Sequence, residues 1–97
     1  MITHVVIFRT KQDEHKPILR EALKKLASIK SLESYQSGKP LVSARPVVDD
    51  TFAGALCATF KDEAALNAYQ TDPIHLDFNE NIVAKYKIKV QVFDIES

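Results

Sequence analysis

The sequence is poor in three residue types, and each shortage narrows the class of protein. The 97 residues include one cysteine, two glycines and no tryptophan. The single cysteine, Cys57, cannot form a disulfide within the chain, and its place in the apolar run FAGALCATF indicates a buried small side chain. The two glycines, Gly38 and Gly54, do not form a glycine-rich phosphate loop. We therefore expect no nucleotide cofactor, and nothing else in the sequence indicates another cofactor.

An excess of charge of one sign is also absent, because thirteen basic residues balance thirteen acidic ones. A nucleic-acid-binding surface needs clustered positive charge, which this sequence lacks. No apolar run approaches the roughly 20 residues that cross a bilayer. The start, MITHVVIFRTK, lacks the basic leader and small-residue cleavage site of a signal peptide. We therefore predict a cytoplasmic protein that binds neither nucleic acid nor membranes.

Metal-ligating residues are too scattered to predict a metal site. The one conceivable set is His4, His75 and Asp77, but side chains two residues apart on a helix point in different directions. The sequence has no Cys/His cluster and no His-Glu-x-x-His motif of the kind that binds zinc. We expect no metal.

What the sequence does contain is an ordered series of strand-like and helix-like segments. β-branched and aromatic residues predict strands, and apolar residues at helical spacing predict helices. The predicted elements, in chain order, are strand ITHVVIFRT, helix KQDEHKPILREALKKLASIKSL, edge strand SLESYQSGKPLV, strand TFAGALCATF, helix KDEAALNAYQ, a short helix from Asp72-Pro73, and strand KIKVQVFDIE. This β-α-β-β-α-β order is the ferredoxin-like arrangement of the α+β class, with a four-stranded antiparallel sheet. We expect one domain over residues 1–97.

The first predicted helix is amphipathic, and a charged segment precedes it. Apolar residues recur at helical spacing and predict one apolar stripe along the helix, namely Ile18, Leu19, Ala22, Leu23, Leu26 and Ala27 or Ile29. His15 lies among charged residues ahead of the helix, and we expect it to be exposed.

One face of the predicted sheet has no helix to cover it. Alternation along the strands nevertheless gives that face apolar side chains, namely Val5, Ile7, Ala55, Cys57 and Phe93. An uncovered apolar surface of this size indicates a partner. We predict a homodimer that packs sheet against sheet around a two-fold axis.

Three stretches of the sequence resemble the stress-responsive α/β-barrel family, called Dabb: THVVIFRTK, ATFKDEAALNAYQTDPIHLDF and KVQVFDIE. Members of this family are dimeric ferredoxin-like domains. The family has a histidine in its first strand and a Tyr-x-x-His-Pro-x-His motif. Here the strand histidine matches His4, the tyrosine matches Tyr69 and the last histidine matches His75. The first histidine of the motif is replaced by Asp72, which is well placed to cap the short helix.

The resemblance implies a pocket between sheet and helices. Plant members include a polyketide cyclase, which implies an acid/base pair formed by His4 and His75 with Tyr69 nearby. Strand alternation puts His4 on the face with Val6 and Phe8, where a mostly apolar cavity with a few polar groups would suit a small ligand. The predicted ligand-contacting walls are Val6, Phe8, Leu23, Leu56, Ala58, Phe60, Val90 and Val92.

The roles of the three polar residues remain open at this stage. In the catalytic interpretation His75 is the base, His4 is its partner or the acid, and Tyr69 donates a hydrogen bond. In the structural interpretation His75 caps a helix end or bonds a backbone carbonyl, His4 is a satisfied core histidine, and Tyr69 packs its ring with the hydroxyl at the surface.

Three functions are therefore open. The first is a dimeric small-molecule-binding domain, an enzyme of cofactor-free proton transfer if the histidines are catalytic. The second is a non-enzymatic stress-associated dimer with a closed pocket. The third is a relative of cofactor-free monooxygenases, which the absence of tryptophan weakens.

Overall fold

Four strands form one antiparallel sheet in the computed structural model, which describes all residues from Met1 to Ser97. The strands are β1 (Ile2–Arg9), β2 (Ser34–Gly38), β3 (Gly54–Phe60) and β4 (Lys89–Glu96). Their order across the sheet is β2-β3-β1-β4, so the polar strand β2 lies at an edge as predicted. β1 and β3 are central, and their strictly alternating burial matches the alternation of the sequence.

Helices connect the strands in the ferredoxin-like manner. They are α1 (Lys16–Lys25), followed by a 3-10 turn at Leu26–Ser28, then α2 (Glu63–Thr71) and α3 (Pro73–Phe78). A π-helical stretch, Asn79–Ala84, extends α3. The α+β class and the β-α-β-β-α-β order are confirmed. None of the helices has the length and apolarity needed to cross a bilayer.

Two aspartates cap the starts of α2 and α3. Each accepts a hydrogen bond from a main-chain N–H that the first turn of a helix leaves unpaired. The carboxylate of Asp62 accepts a hydrogen bond from the Ala65 N–H at 2.9 Å. Asp72 accepts one from the Ile74 N–H, also at 2.9 Å, and Pro73 follows at the first helical position. The predicted capping role of Asp72 is confirmed.

The core lies between the helices and one face of the sheet. Its largest fully buried side chains are Leu19, Leu23, Leu26, Phe60 and Tyr69. Burying a side chain of this size stabilises the fold by about 1.5–3 kcal/mol. Helix α1 approaches β3 so closely that a Cβ added at Gly54 would meet Leu23 Cδ1 at 3.3 Å. Glycine therefore lets helix and strand pack together at this point.

Two expectations about the first helical region are wrong. Ile18 is 37% exposed, because the buried stripe of α1 runs through Leu19 and Leu23 and turns Ile18 toward its edge. His15 is half-buried, and its ring centroid lies 4.6 Å from that of Tyr86. Tyr86 follows the π-helical stretch and is distant from His15 in sequence. The charged residues around His15 therefore do not reveal this contact.

The second sheet face carries no helix, as predicted. Strand pairing puts Val5 beside Cys57 and Phe93, and Ile7 beside Ala55, on this face. Four of these side chains are half-buried within the chain, and Phe93 is 50% exposed. Strand β4 is exposed along its whole length. The chain alone therefore leaves an apolar sheet surface open.

Candidate functional site

A buried histidine on the central strand β1 is the first element of the site. His4 is only 3% exposed, and its Nδ1 lies 2.5 Å from Oδ1 of Asp94 on the neighbouring strand β4. The two residues are direct cross-strand partners in the sheet. The aspartate side chain is 45% exposed, so the carboxylate connects the buried ring to the surface. This contact fixes the orientation of the imidazole.

Three rings stand in a row above the sheet. The centroid of the His4 ring lies 5.9 Å from that of Tyr69, and Tyr69 lies 4.7 Å from His75. Both contacts are edge-to-face, the arrangement that aromatic quadrupoles favour. Tyr69 comes from the buried face of α2, and His75 comes from the first turn of α3. The fold thus brings together all three residues that the resemblance singled out.

These three residues line one small cavity of about 90 Å³. Five of the eight predicted wall residues line it with them, namely Val6, Phe8, Leu56, Val90 and Val92. The lining is mostly apolar, which is typical of a site for a small ligand. Val90 and Val92 are 40% and 48% exposed, so the cavity is least enclosed at the β4 edge.

The other three predicted wall residues lie in the core instead. Leu23, Ala58 and Phe60 are fully buried and do not line the cavity. Leu23 packs against the β3 backbone at Gly54. Phe60 lies under Tyr69, with their ring centroids 5.0 Å apart, and so fills the space behind the site. Strand alternation placed Ala58 and Phe60 on the correct sheet face. It could not distinguish residues packed in the core from residues that line the cavity.

Two buried polar atoms at the site have no hydrogen-bond partner within the chain. They are the hydroxyl of Tyr69 and Nδ1 of His75. Most buried polar groups in folded proteins are hydrogen-bonded, because leaving one unpaired costs about 1–3 kcal/mol. Both atoms belong to side chains that line the same cavity.

Burial sets the protonation states of both groups at neutral pH. It raises the pKa of the Tyr69 hydroxyl far above its ordinary value, and the nearby Tyr35 adds to the shift. Tyr69 is therefore a protonated donor. Burial lowers the pKa of His75, and the electrostatic interaction with His4 lowers it further. His75 is therefore neutral, the form that accepts a proton.

Sequence reasoning missed several residues of the site. Asp94 could have been found, because strand alternation places it on the same face as Val90 and Val92. Asn79 and Val83 also line the cavity, but they come from the π-helical stretch. Helical spacing of 3.6 residues does not predict which side chains such a stretch turns inward. Gln70, at the end of α2, completes the opening.

Comparison with known proteins places this architecture in a family. Residues 2–97 match the family model described as Stress responsive A/B Barrel Domain, Dabb. The chain belongs to the Dabb family. No curated protein sequence matches it.

Solved structures share the fold at low sequence identity. A Dabb family protein from Mesorhizobium loti is 23% identical with a TM-score of 0.74, over 99% of this chain and 95% of the other. A dimeric ferredoxin-like protein from Bacteroides fragilis is 24% identical with a TM-score of 0.75, over 99% and 95%. An antibiotic biosynthesis monooxygenase is 17% identical with a TM-score of 0.71, over 100% and 98%. At these identities the likeness establishes the Dabb chain's fold and no more.

Proposed function

We propose that this Dabb protein is a dimer that binds the apolar, carbonyl-bearing end of a small molecule in the cavity and transfers a proton on it without a cofactor. One observation carries the proposal. The Tyr69 hydroxyl and His75 Nδ1 are buried and unpaired, and their side chains line the cavity beside the His4–Asp94 pair. Unpaired buried polar groups of this kind are what a carbonyl-bearing ligand would satisfy.

Each polar residue has a chemical role in this proposal. Neutral His75 accepts a proton from the carbon next to a ligand carbonyl. The Tyr69 hydroxyl donates a hydrogen bond to the carbonyl oxygen, which becomes an enolate oxygen as the carbon loses its proton. The His75 imidazolium then returns the proton to the same or another carbon. His4, oriented by Asp94, packs edge-to-face with the Tyr69 ring.

The dimensions of the site restrict the ligand. A volume of about 90 Å³ equals about three water molecules, each occupying roughly 30 Å³ in the liquid. The cavity therefore accepts only the reacting end of a larger molecule. An open groove of about 470 Å³, lined by Leu66, Gln70 and Asp94 among others, lies next to it and shares Gln70 with it. The groove is mostly polar and includes the carboxylates of Glu63, Asp94 and Glu96, so we assign it to a polar remainder of the ligand.

Dimerisation through the helix-free sheet face is the second part of the proposal. Several proteins of this fold are described as dimeric, including those from Bacteroides fragilis and Thermobifida fusca, which supports self-association. The face exposes Phe93 and the half-buried Val5 and Cys57. A second copy would remove this apolar surface from water.

The small cavity volume favours one competing function, a stress-associated dimer without catalysis. Ligand sites usually measure about 300–1,000 Å³, several times this cavity. In that case the polar residues would serve stability alone, and the protein would not accelerate a chemical reaction.

The exchange of hydrogen for deuterium in a simple ketone tests the proposal. We expect the protein to accelerate exchange next to the carbonyl of 2-hexanone in D₂O, measured by proton NMR, and His75→Ala to remove the acceleration. His15→Ala is the matched control, because His15 is a half-buried histidine away from the cavity. Exchange no faster than in buffer, or equal rates for wild type and His75→Ala, would overturn the catalytic role.

A further inference from the structure

The loop between β2 and β3 carries apolar side chains that nothing in the chain covers. We call residues 39–53 the arm. Leu41, Val42 and Val47 in the arm are 85%, 87% and 82% exposed, the highest exposures among the large apolar residues. The arm also has a defined shape, because the Asp50 carboxylate accepts a hydrogen bond from the Ser43 N–H at 3.1 Å. Three such side chains on a shaped protrusion indicate a surface that is covered in the assembly.

A second uncovered apolar surface lies at the opposite edge of the sheet. Val90 and Val92 of β4 wall the cavity on the helix side, yet they are 40% and 48% exposed. All eight residues of β4 are exposed. The cavity is therefore least enclosed at Val90 and Val92, and the surface that these two side chains leave exposed is apolar.

The strand register relates these two surfaces. Gly38, where the arm leaves β2, pairs with Ala55; Ala55 pairs with Ile7, and Ile7 with Gln91. The root of the arm and the Val90 end of β4 thus lie at the same end of the sheet but on opposite edges. A two-fold axis that runs along the strands between two stacked sheets exchanges the edges and preserves the ends. It places the arm of one copy beside the Val90 end of β4 in the other.

The reach of the arm is sufficient. Stacked sheets lie about 10 Å apart, and six extended residues span about 20 Å. The arm root is also continuous with the helix-free face, since Lys39 and Phe52 line a concavity of about 330 Å³ there together with Val5 and Cys57. The surface proposed for dimerisation therefore leads directly into the arm.

We propose that in the dimer the arm of each copy folds over β4 of the other and completes its ligand cavity with an apolar side chain from Leu41, Val42 or Val47. The inference rests on the proposed dimer and deepens the proposed function. It means that an isolated chain has an open site and that each site takes residues from two copies. It also means that the ligand meets apolar side chains at the Val90 end of β4, which favours a hydrocarbon substituent at that position.

Disulfide cross-linking between differently marked chains tests this arrangement. One chain carries Val42→Cys and the other Val92→Cys, each with Cys57→Ala, so that the only thiols are the introduced ones. We expect a disulfide-linked heterodimer after mild oxidation of the mixture. The control pair replaces Val92→Cys with Leu76→Cys, because Leu76 is 52% exposed on α3 and should give none. The Leu41 and Val47 positions, each tested against Val90→Cys and Val92→Cys, complete the set.

The outcomes separate the two proposals. If sedimentation shows a dimer but no arm position cross-links to β4, the arm placement is wrong and the dimer proposal stands. If the chain sediments as a monomer, both the arm placement and the dimer proposal are wrong.

A second measurement uses the absence of tryptophan. We expect the emission of Val42→Trp to shift to longer wavelength on dilution below the dimer dissociation constant, whereas Leu76→Trp does not shift. An unchanged Val42→Trp spectrum would contradict the arrangement.

Discussion

His4 and Asp94, ninety residues apart in sequence, meet across adjacent strands with Nδ1 and Oδ1 2.5 Å apart. The histidine belongs to the central strand β1 and is buried, whereas the aspartate belongs to the edge strand β4 and is half-exposed. Antiparallel pairing alone brings them together, because they are direct partners in the register. The pair anchors the ring row that continues through Tyr69 to His75.

Replacing the carboxylate tests its positioning role. Asp94→Asn should lower the ketone exchange rate by about tenfold or more, because His4 loses the charged acceptor that orients it. The free energy of unfolding should fall by only about 1 kcal/mol, since the carboxylate is half-exposed. Glu33→Gln, at an exposed carboxylate that lines neither the cavity nor the groove, is the control and should change neither quantity. Rates for Asp94→Asn equal to wild type would remove Asp94 from the mechanism.

Removing the buried hydroxyl of Tyr69 should lower activity without lowering stability. Tyr69→Phe removes an unpaired group whose burial costs about 1–3 kcal/mol, so chemical denaturation should show unchanged or increased stability. The exchange rate should nevertheless fall by about a hundredfold, as expected for a lost donor to a developing oxyanion.

Tyr35→Phe provides the opposite control. The Tyr35 hydroxyl donates to the Leu23 carbonyl at 2.5 Å, so its removal should cost about 1 kcal/mol of stability and leave the rate unchanged. A loss of stability in Tyr69→Phe as large as that in Tyr35→Phe would indicate a structural role for Tyr69.

His75 should make stability depend on pH. Its pKa is lower in the folded protein than the ordinary value of 6.5, because burial opposes its charge. The unfolded chain therefore binds this proton more readily, and the stabilising contribution is complete above about pH 6.5 and lost as pH falls through the folded pKa. His75→Gln should lose less stability than wild type between about pH 7 and 5, as measured by urea denaturation. If the free energy of unfolding changed with pH equally in the two proteins, the lowered pKa of His75 would be contradicted.

The cap of α3 should matter more for activity than an equivalent cap elsewhere. Asp72→Ala should cost about 1 kcal/mol and also lower the exchange rate, because Asp72 fixes the first turn of the short helix that carries His75. Asp62→Ala, which removes the cap of α2, should cost a similar amount and keep the rate. Equal activity in both variants would show that the start of α3 does not position His75.

Phe93 provides the test of the sheet interface. Phe93→Lys should convert the protein to a monomer in sedimentation, because it places a charge on the apolar face proposed to pack against a second copy. Leu76→Lys is matched to it, since the two residues are 50% and 52% exposed and only Phe93 lies on that face. A dimer that survives Phe93→Lys would place the interface elsewhere.

Much of the fold was predictable because it depends on local patterns. Alternation in β1 and β3 predicted which residues face the helices, and these are the residues that are buried. Asp62, Asp72 and Pro73 marked the helix starts through chemistry confined to one turn. Ile18 and His15 were placed wrongly, because their burial depends on neighbours from other parts of the chain.

The sequence by itself determined the order of elements and the sheet face that receives each side chain, because these follow from periodicity. Its resemblance to the Dabb family indicated the three polar residues at the site. Only the tertiary structure decided that Asp94 reaches His4, that the cavity is small and that Leu23, Ala58 and Phe60 lie outside it. The physical reason is that register and packing are set by the chain as a whole. A strand pair joins residues ninety positions apart, and a cavity is the space that close-packed side chains from several elements fail to fill.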